Sequence, residues 1–217
     1  MDRHANLQRV LDRRIVAIIR APTGDQLVDV AKAIYDGGID VIEVTFTVPG
    51  AVDVLKQVND ELGDSILLGA GSVLDTETAR AAMLAGAKFI VSPVVQPDVV
   101  RMCNRYGAVC MPGAFTPTEV ITAWEAGADV VKVFPASVGG PSYLKALHGP
   151  LPQVKLMPTG GVDLETLPKF MTAGACAVGL GSSLVEKSAL ESGTLQRITD
   201  LSAAYVAAMS ECVPASQ

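Results

Sequence analysis

The chain has 217 residues, 49% of them hydrophobic and 18% charged, which is enough for one sizeable core or two small ones. The net charge is −6 and no basic cluster occurs, which excludes the broad basic surface that nucleic-acid binding needs. No window approaches the roughly 18 apolar residues of a membrane span, and the charged N-terminus MDRHANLQRVLDRR has no apolar signal core, so a soluble cytoplasmic protein is the expectation.

Taken in chain order, residues 4–13 read as an amphipathic helix, followed by the apolar strand RIVAIIR (14–20) and a helix over 24–36. A strand beginning near Val41 and a helix over 50–62 come next. ILLGAGSV (66–73) is a third strand, with a helix over 76–85, and the fourth strand begins near Phe89, with a helix over 97–106. GAVCMPG (107–113) is a fifth strand, with a helix over 117–126, and the sixth begins near Val130, with a helix over 140–147. VKLMPTGG (154–161) is a seventh, with a helix over 163–173, and an eighth begins near Ala177, before a final helix over 194–209.

One phrase recurs through this series: YDGGIDVIEV, MLAGAKFIVS, EAGADVVKVF and TAGACAVGLG. In each, a helical pattern stops at a glycine and an apolar strand follows at once. The spacing of about 40–50 residues fits two strand–helix units per repeat. Short apolar strands alternating with helices demand parallel pairing with helices over the sheet. Eight such units predict an α/β chain folded as a (β/α)8 TIM barrel, with residues 4–13 as an extra N-terminal helix. The rival is an open doubly wound sheet, which the regular repeat and the lack of G-x-G-x-x-G at the first helix disfavour. No linker divides the chain, so 1–217 is expected to be a single domain.

Function in such a barrel sits at the C-terminal strand ends. Two charges interrupt apolar strands there, Glu43 in VIEVTF and Lys132 in DVVKVFPAS. Strand alternation aims both side chains at the interior if their branched neighbours face the helices. An ammonium in an apolar wall loses part of its charge, and a neutral lysine amine attacks ketones to form a Schiff base. Glu43 is then the proton carrier, and Phe134 shares the inward face of Lys132 and can pack on a planar imine. A structural Lys–Glu ion pair is the bland alternative, although such pairs add little stability. TGG (Gly160, Gly161) and GLGSS (Gly181, Ser182 or Ser183) follow the last two strands, where barrels commonly bind phosphate through backbone N–H groups. Arg20, or Ser72 with the N–H groups around it, can hold a carboxylate. Thr45, Pro93 and Thr159 complete the polar or strand-end positions facing the site.

The four cysteines show no C-x-x-C spacing and the only histidines are His4 and His148, so free thiols and no metal site are expected. Neither histidine lies near a G-x-S-x-G signature, which sets a serine hydrolase aside.

With Glu43 in EVTF, GAGSV, MPG-x-x-TP-x-E, KVFPAS, PTGGV and GLGSSL, the chain from about Ile15 to Leu184 resembles the 2-keto-3-deoxy-6-phosphogluconate (KDPG) aldolases. That family includes 4-hydroxy-2-oxoglutarate (KHG) and 6-phosphogalactonate aldolases. The resemblance implies a class I enzyme without metal or cofactor, a (β/α)8 barrel, a homotrimer, and a sugar-phosphate 2-keto acid as the small-molecule partner. It also implies Lys132 as the Schiff-base lysine and Glu43 as proton acceptor and donor, with Ser72 at the pyruvate carboxylate and phosphate on the glycine motifs. Thr159 falls beside the substrate hydroxyls, where gluconate-type members carry threonine and galactonate-type members tend to be apolar. Some members carry a carboxylate-binding arginine where this chain has Thr47, which shifts that role to Arg20. The expected reaction is reversible cleavage of KDPG to pyruvate and D-glyceraldehyde 3-phosphate, with 4-hydroxy-2-oxoglutarate as a further substrate. Its rivals are the galactonate epimer, a phosphate-barrel isomerase or epimerase with Glu43 as base, and a non-catalytic sugar-phosphate sensor.

Overall fold

The computed structural model describes residues 2–21, 24 and 26–212. Asp25 of the predicted helix 24–36, and positions 1, 22, 23 and 213–217 of the predicted domain, lie outside the described residues. Helix α1 (Arg3–Arg13) leads into β1 (Ile15–Ile19), α2 (Leu27–Asp36), β2 (Val41–Thr45), α3 (Ala51–Leu62) and β3 (Leu67–Gly71). Then follow α4 (Thr76–Leu84), β4 (Phe89–Val91), α5 (Pro97–Tyr106), β5 (Val109–Met111), β6 (Gly113–Ala114) and α6 (Pro117–Glu125). The chain continues through β7 (Val131–Val133), α7 (Ala136–His148), β8 (Leu156–Pro158), α8 (Leu167–Thr172), β9 (Val178–Leu180), α9 (Lys187–Ser192) and α10 (Gln196–Glu211).

The result is an α/β fold with a curled parallel sheet. One sheet runs β5-β4-β3-β2-β1-β9 and a second runs β6-β7-β8, with every ladder parallel. The predicted fifth strand is split into β5 and β6 because Pro112 stands between them and has no N–H to donate to a ladder. Isolated parallel bridges join Leu156 to Ala175 and Thr159 to Gly179 on the β8 and β9 side.

Several helices depart from the sequence pattern, and α2 begins at Leu27 rather than 24. Helix α7 begins at Ala136 rather than 140, with a kink at Gly140 (φ 65°, ψ −170°) just before Pro141. Helix α8 begins at Leu167 rather than 163, because Asp163 and Thr166 hydrogen-bond each other and close a turn first. Helix α9 was not anticipated. Its six residues are too short for periodicity to reveal. Helix starts that carry a local signal are where expected: Thr116 and Glu119 form a reciprocal capping box with Pro117 at the first helical position.

Alternation along the strands sorts the interior into two cores. Ile42, Val44, Leu68, Ala70, Val131 and Val133 pack outward against the helices. Val16, Val41, Leu67, Phe89, Val130 and Met157 pack inward on one another. Helix α1 closes the bottom of this inner core with Val10, Leu7 and Leu11. Its polar edge is pinned by ion pairs: Arg9 and Arg13 both reach Asp40 Oδ2 at 3.0 Å, and Arg3 reaches Asp129 Oδ1 at 2.8 Å. Asp129 Oδ2 also accepts the Cys110 N–H at 2.8 Å, which fixes it to the sheet. All four cysteines are free. Among the described residues, no helix is long and apolar enough to cross a membrane.

Removing the Asp40 carboxylate leaves Arg9 and Arg13 without their shared anchor. We expect Asp40→Ala to lower stability in urea unfolding by about 1–3 kcal/mol, while Asp12→Ala on the exposed side of the same helix changes it by less than about 0.5 kcal/mol.

Candidate active site

The inward parity of Val130 and Val41 carries on up each strand. It therefore points Lys132 and Glu43 into the space above the inner core. Both are buried, Lys132 at 6% and Glu43 at 1% exposure. They come from different sheets, Glu43 from β2 of the larger and Lys132 from β7 of the smaller. In register, Glu43 lies between Ile18 and Gly69, and Lys132 between Gly113 and Met157. Thr159 shares the parity of Met157 and is also buried.

These residues line one cavity of about 710 Å³. Its wall includes Lys132, Glu43, Arg20, Ser72, Pro93, Phe134, Thr159, Gly160, Gly161, Gly181 and Ser182, so nearly every residue singled out from sequence converges there. Thr45 does not reach the wall. It is buried at the end of β2, and its hydroxyl pairs at 3.0 Å with that of Thr47, which does line the cavity. Asp163 and Lys187, also on the wall, escaped the sequence reading. Asp163 follows TGGV directly, and the only hint of Lys187 was a charge shortly after GLGSS.

The electrostatics oppose both charges. Burial pushes the Lys132 pKa down, the charge of Glu43 pushes it back up, and Arg20 lowers it further. Burial raises the Glu43 pKa, against the pull of Lys132 and Arg20. Desolvation is the largest cause for each, so both groups move toward their neutral forms. The Lys132 Nζ lies 4.9 Å from the centroid of the Phe134 ring. Glu43 Oε2 and Thr159 Oγ1 are buried without a hydrogen-bond partner among the described residues. An orphaned carboxylate oxygen and an orphaned hydroxyl facing one cavity are acceptors and donors held in reserve for a guest.

Glycine makes room for this arrangement. In β3, Gly69 and Gly71 face inward; a Cβ at Gly69 would enter the Phe89 ring, and one at Gly71 would overlap the Glu43 carboxylate. Gly160 and Gly161 adopt φ of 83° and 79°, a region that side chains other than glycine avoid. Ser72 also has a positive φ of 60°, a strained conformation for serine and one that clusters at ligand sites. Ser183 donates its hydroxyl to the Val162 carbonyl at 2.7 Å, tying the two glycine loops together and leaving Ser182 the freer hydroxyl.

A desolvated amine, an unpartnered carboxyl and a ring of small-residue loops can together form an imine on a ketone and shuttle protons beside it. Among the described residues, no group of three or more His, Cys, Asp and Glu is placed to hold a metal ion.

Comparison with known proteins places these features in context. The family model described as KDPG and KHG aldolase matches residues 7–201. The chain is 36% identical to the 2-dehydro-3-deoxy-6-phosphogalactonate aldolase of Escherichia coli (strain K12), over 92% of its own length and 96% of the relative's. It is also 36% identical to the 2-dehydro-3-deoxy-phosphogluconate aldolase of Treponema pallidum (strain Nichols), over 90% and 92%. A solved KDPG aldolase from Legionella pneumophila, with pyruvate captured as a covalent carbinolamine intermediate, is 28% identical with a TM-score of 0.85, covering 94% of this chain and 98% of that one. A tryptophan synthase alpha chain from Legionella pneumophila, only 15% identical, shares the fold with a TM-score of 0.75.

Gly71→Ala should displace the Glu43 carboxylate while leaving Lys132 in place. We expect turnover of a 2-keto acid substrate to fall about 100-fold, with far-UV circular dichroism unchanged.

Proposed function

We infer a carbon–carbon bond cleavage at this site, because the chain belongs to the KDPG and KHG aldolase family. The carrying observation is Lys132, an amine held in a dry wall opposite an unpartnered carboxyl. The neutral Lys132 amine adds to the C2 carbonyl of the substrate, and loss of water leaves an iminium. Glu43 accepts the C4 hydroxyl proton. The C3–C4 electron pair then collapses toward the iminium, so the aldehyde departs and an enamine remains. Glu43 returns its proton to C3, and water hydrolyses the new iminium to free pyruvate and Lys132. Burial raises the Glu43 pKa, which makes its carboxylate a stronger base toward the C4 hydroxyl than one in water. Phe134 packs beside the planar imine, and Arg20 and Ser72 bind the substrate carboxylate. Gly160, Gly161, Gly181 and Ser182 bind the phosphate, with Pro93 as wall and Thr45 holding Thr47 in place.

The substrate we assign is 2-keto-3-deoxy-6-phosphogluconate, cleaved reversibly to pyruvate and D-glyceraldehyde 3-phosphate. The unpartnered Thr159 hydroxyl supports it, since it stands ready for a substrate hydroxyl. The galactonate epimer is the second reading, favoured by the 36% identity to the phosphogalactonate aldolase. The unphosphorylated 4-hydroxy-2-oxoglutarate presents the same 2-keto acid end and is a third substrate.

We read the two sheets as one closed (β/α)8 barrel in a single domain; the β8 and β9 bridges and the single residue between β5 and β6 support closure. We also take the enzyme to be a cytoplasmic homotrimer. Exposed Leu84 and Val138, each 70% exposed, are apolar surface that assembly would cover.

Borohydride reduction with pyruvate should leave a stable adduct on Lys132, located by peptide mass spectrometry. Folded protein that gains no adduct would exclude the imine mechanism, as well as separating it from an isomerase that uses Glu43 alone. A sensor would keep ligand affinity as Lys132→Ala, whereas the enzyme loses at least about 1,000-fold in turnover. For the substrate, kcat/KM should favour the gluconate epimer, and Thr159→Val should reduce that preference roughly tenfold. An unchanged preference in Thr159→Val would remove Thr159 from the discrimination.

A further inference from the structure

The cavity carries one cation that the reaction does not use. Its wall has three cationic side chains, Arg20, Lys132 and Lys187. Arg20 and Lys132 both act electrostatically on Glu43, which places Arg20, Lys132 and Glu43 together at one end. Lys187 is not among the charges that shift Glu43 or Lys132, and its side chain is 82% exposed at the rim.

The chain brings Lys187 to the side of the glycine loops. The Gly181 carbonyl accepts the N–H groups of Leu184 and Val185 in a tight turn, and Lys187 follows two residues later. The Ser183 bond to Val162 holds the TGG loop against the same turn. All the donors of these two loops are neutral. A phosphate monoester carries between one and two negative charges at neutral pH, so the loops hydrogen-bond it without balancing its charge. Among the described residues, the other charged group on this rim is Asp163, an anion that Thr166 holds below its usual pKa through backbone and hydroxyl bonds of 2.8 Å. It would repel a phosphate. Among the described residues Lys187 pairs only with Glu191, at 3.4 Å, and both side chains are largely exposed. An exposed i,i+4 pair of this kind is weak, so the ammonium leaves it at small cost.

We propose that Lys187 is the specificity-determining cation of the phosphate end. It turns from Glu191 to the phosphate on the glycine loops, and so makes the site prefer phosphorylated over unphosphorylated 2-keto acids. The proposal rests on the aldolase reading given above.

The test compares Lys187→Ala and Lys187→Arg on 2-keto-3-deoxy-6-phosphogluconate and on 4-hydroxy-2-oxoglutarate. In Lys187→Ala, the ratio of kcat/KM for the phosphorylated over the unphosphorylated substrate should fall roughly three- to fivefold, the size of an exposed ion pair. The fall should come through KM, shrink as salt rises, and be absent in Lys187→Arg. A ratio unchanged at low salt, or an equal loss on both substrates, overturns the proposal. Inorganic phosphate gives a readout that needs no turnover. Its titration should shift the amide resonances of Gly161 and Gly181, with weaker binding in Lys187→Ala, and equal binding again overturns the proposal. Failure of the aldolase reading itself shows separately, as absence of the pyruvate adduct on Lys132 in the parent protein.

Discussion

The desolvation of one ammonium group is the constraint on which the rest of this structure turns. Lys132 is 6% exposed on a strand whose neighbours are valines. Keeping it charged there would be costly, and its carboxylate counterpart is itself displaced toward the neutral acid by burial. A stable ion pair is the outcome the fold resists. Under the proposed mechanism, the two groups serve as nucleophile and proton carrier because neither charge is well supported.

Much of the architecture serves that condition. The inner core below Lys132 is sealed by α1, whose Val10 closes the floor while arginines fasten it to Asp40 and Asp129. Water is thereby kept from one side of the amine. Above it the interior turns polar within a single strand step, from Val41 to Glu43 and from Val130 to Lys132. The glycines of β3 then leave the volume that the Glu43 carboxylate occupies. Stability and chemistry are thus divided between the two ends of the same strands, with bulky apolar groups and ion pairs below and small residues and unpartnered polar groups above.

The strands and the two buried charges facing the cavity were legible in sequence because period-two alternation is a strong signal, and a charge within such a pattern is conspicuous. The glycine loops were legible for a similar reason, since TGG and GLGSS end apolar strands where a barrel keeps its ligand loops. What sequence missed has physical causes. Helix α9 is too short to show a period, and so Lys187 was hidden with it. The break between β5 and β6 depends on a missing N–H at Pro112, which the apolar pattern runs through without a mark. Thr45 has the inward parity, but its bond to Thr47 takes it off the cavity wall, a side-chain choice that alternation does not encode. The early start of α7 depends on a kink at Gly140 that lets two short helical turns meet.

The most direct test of this account is the pKa of Lys132 in the free enzyme, followed through its side-chain carbon resonance against pH and assigned with Lys132→Arg. Burial as the dominant influence predicts a midpoint clearly below the ordinary lysine value of 10.5. A midpoint at or above 10.5 would mean that Glu43 outweighs desolvation, and that the strand holds an ion pair rather than a nucleophile.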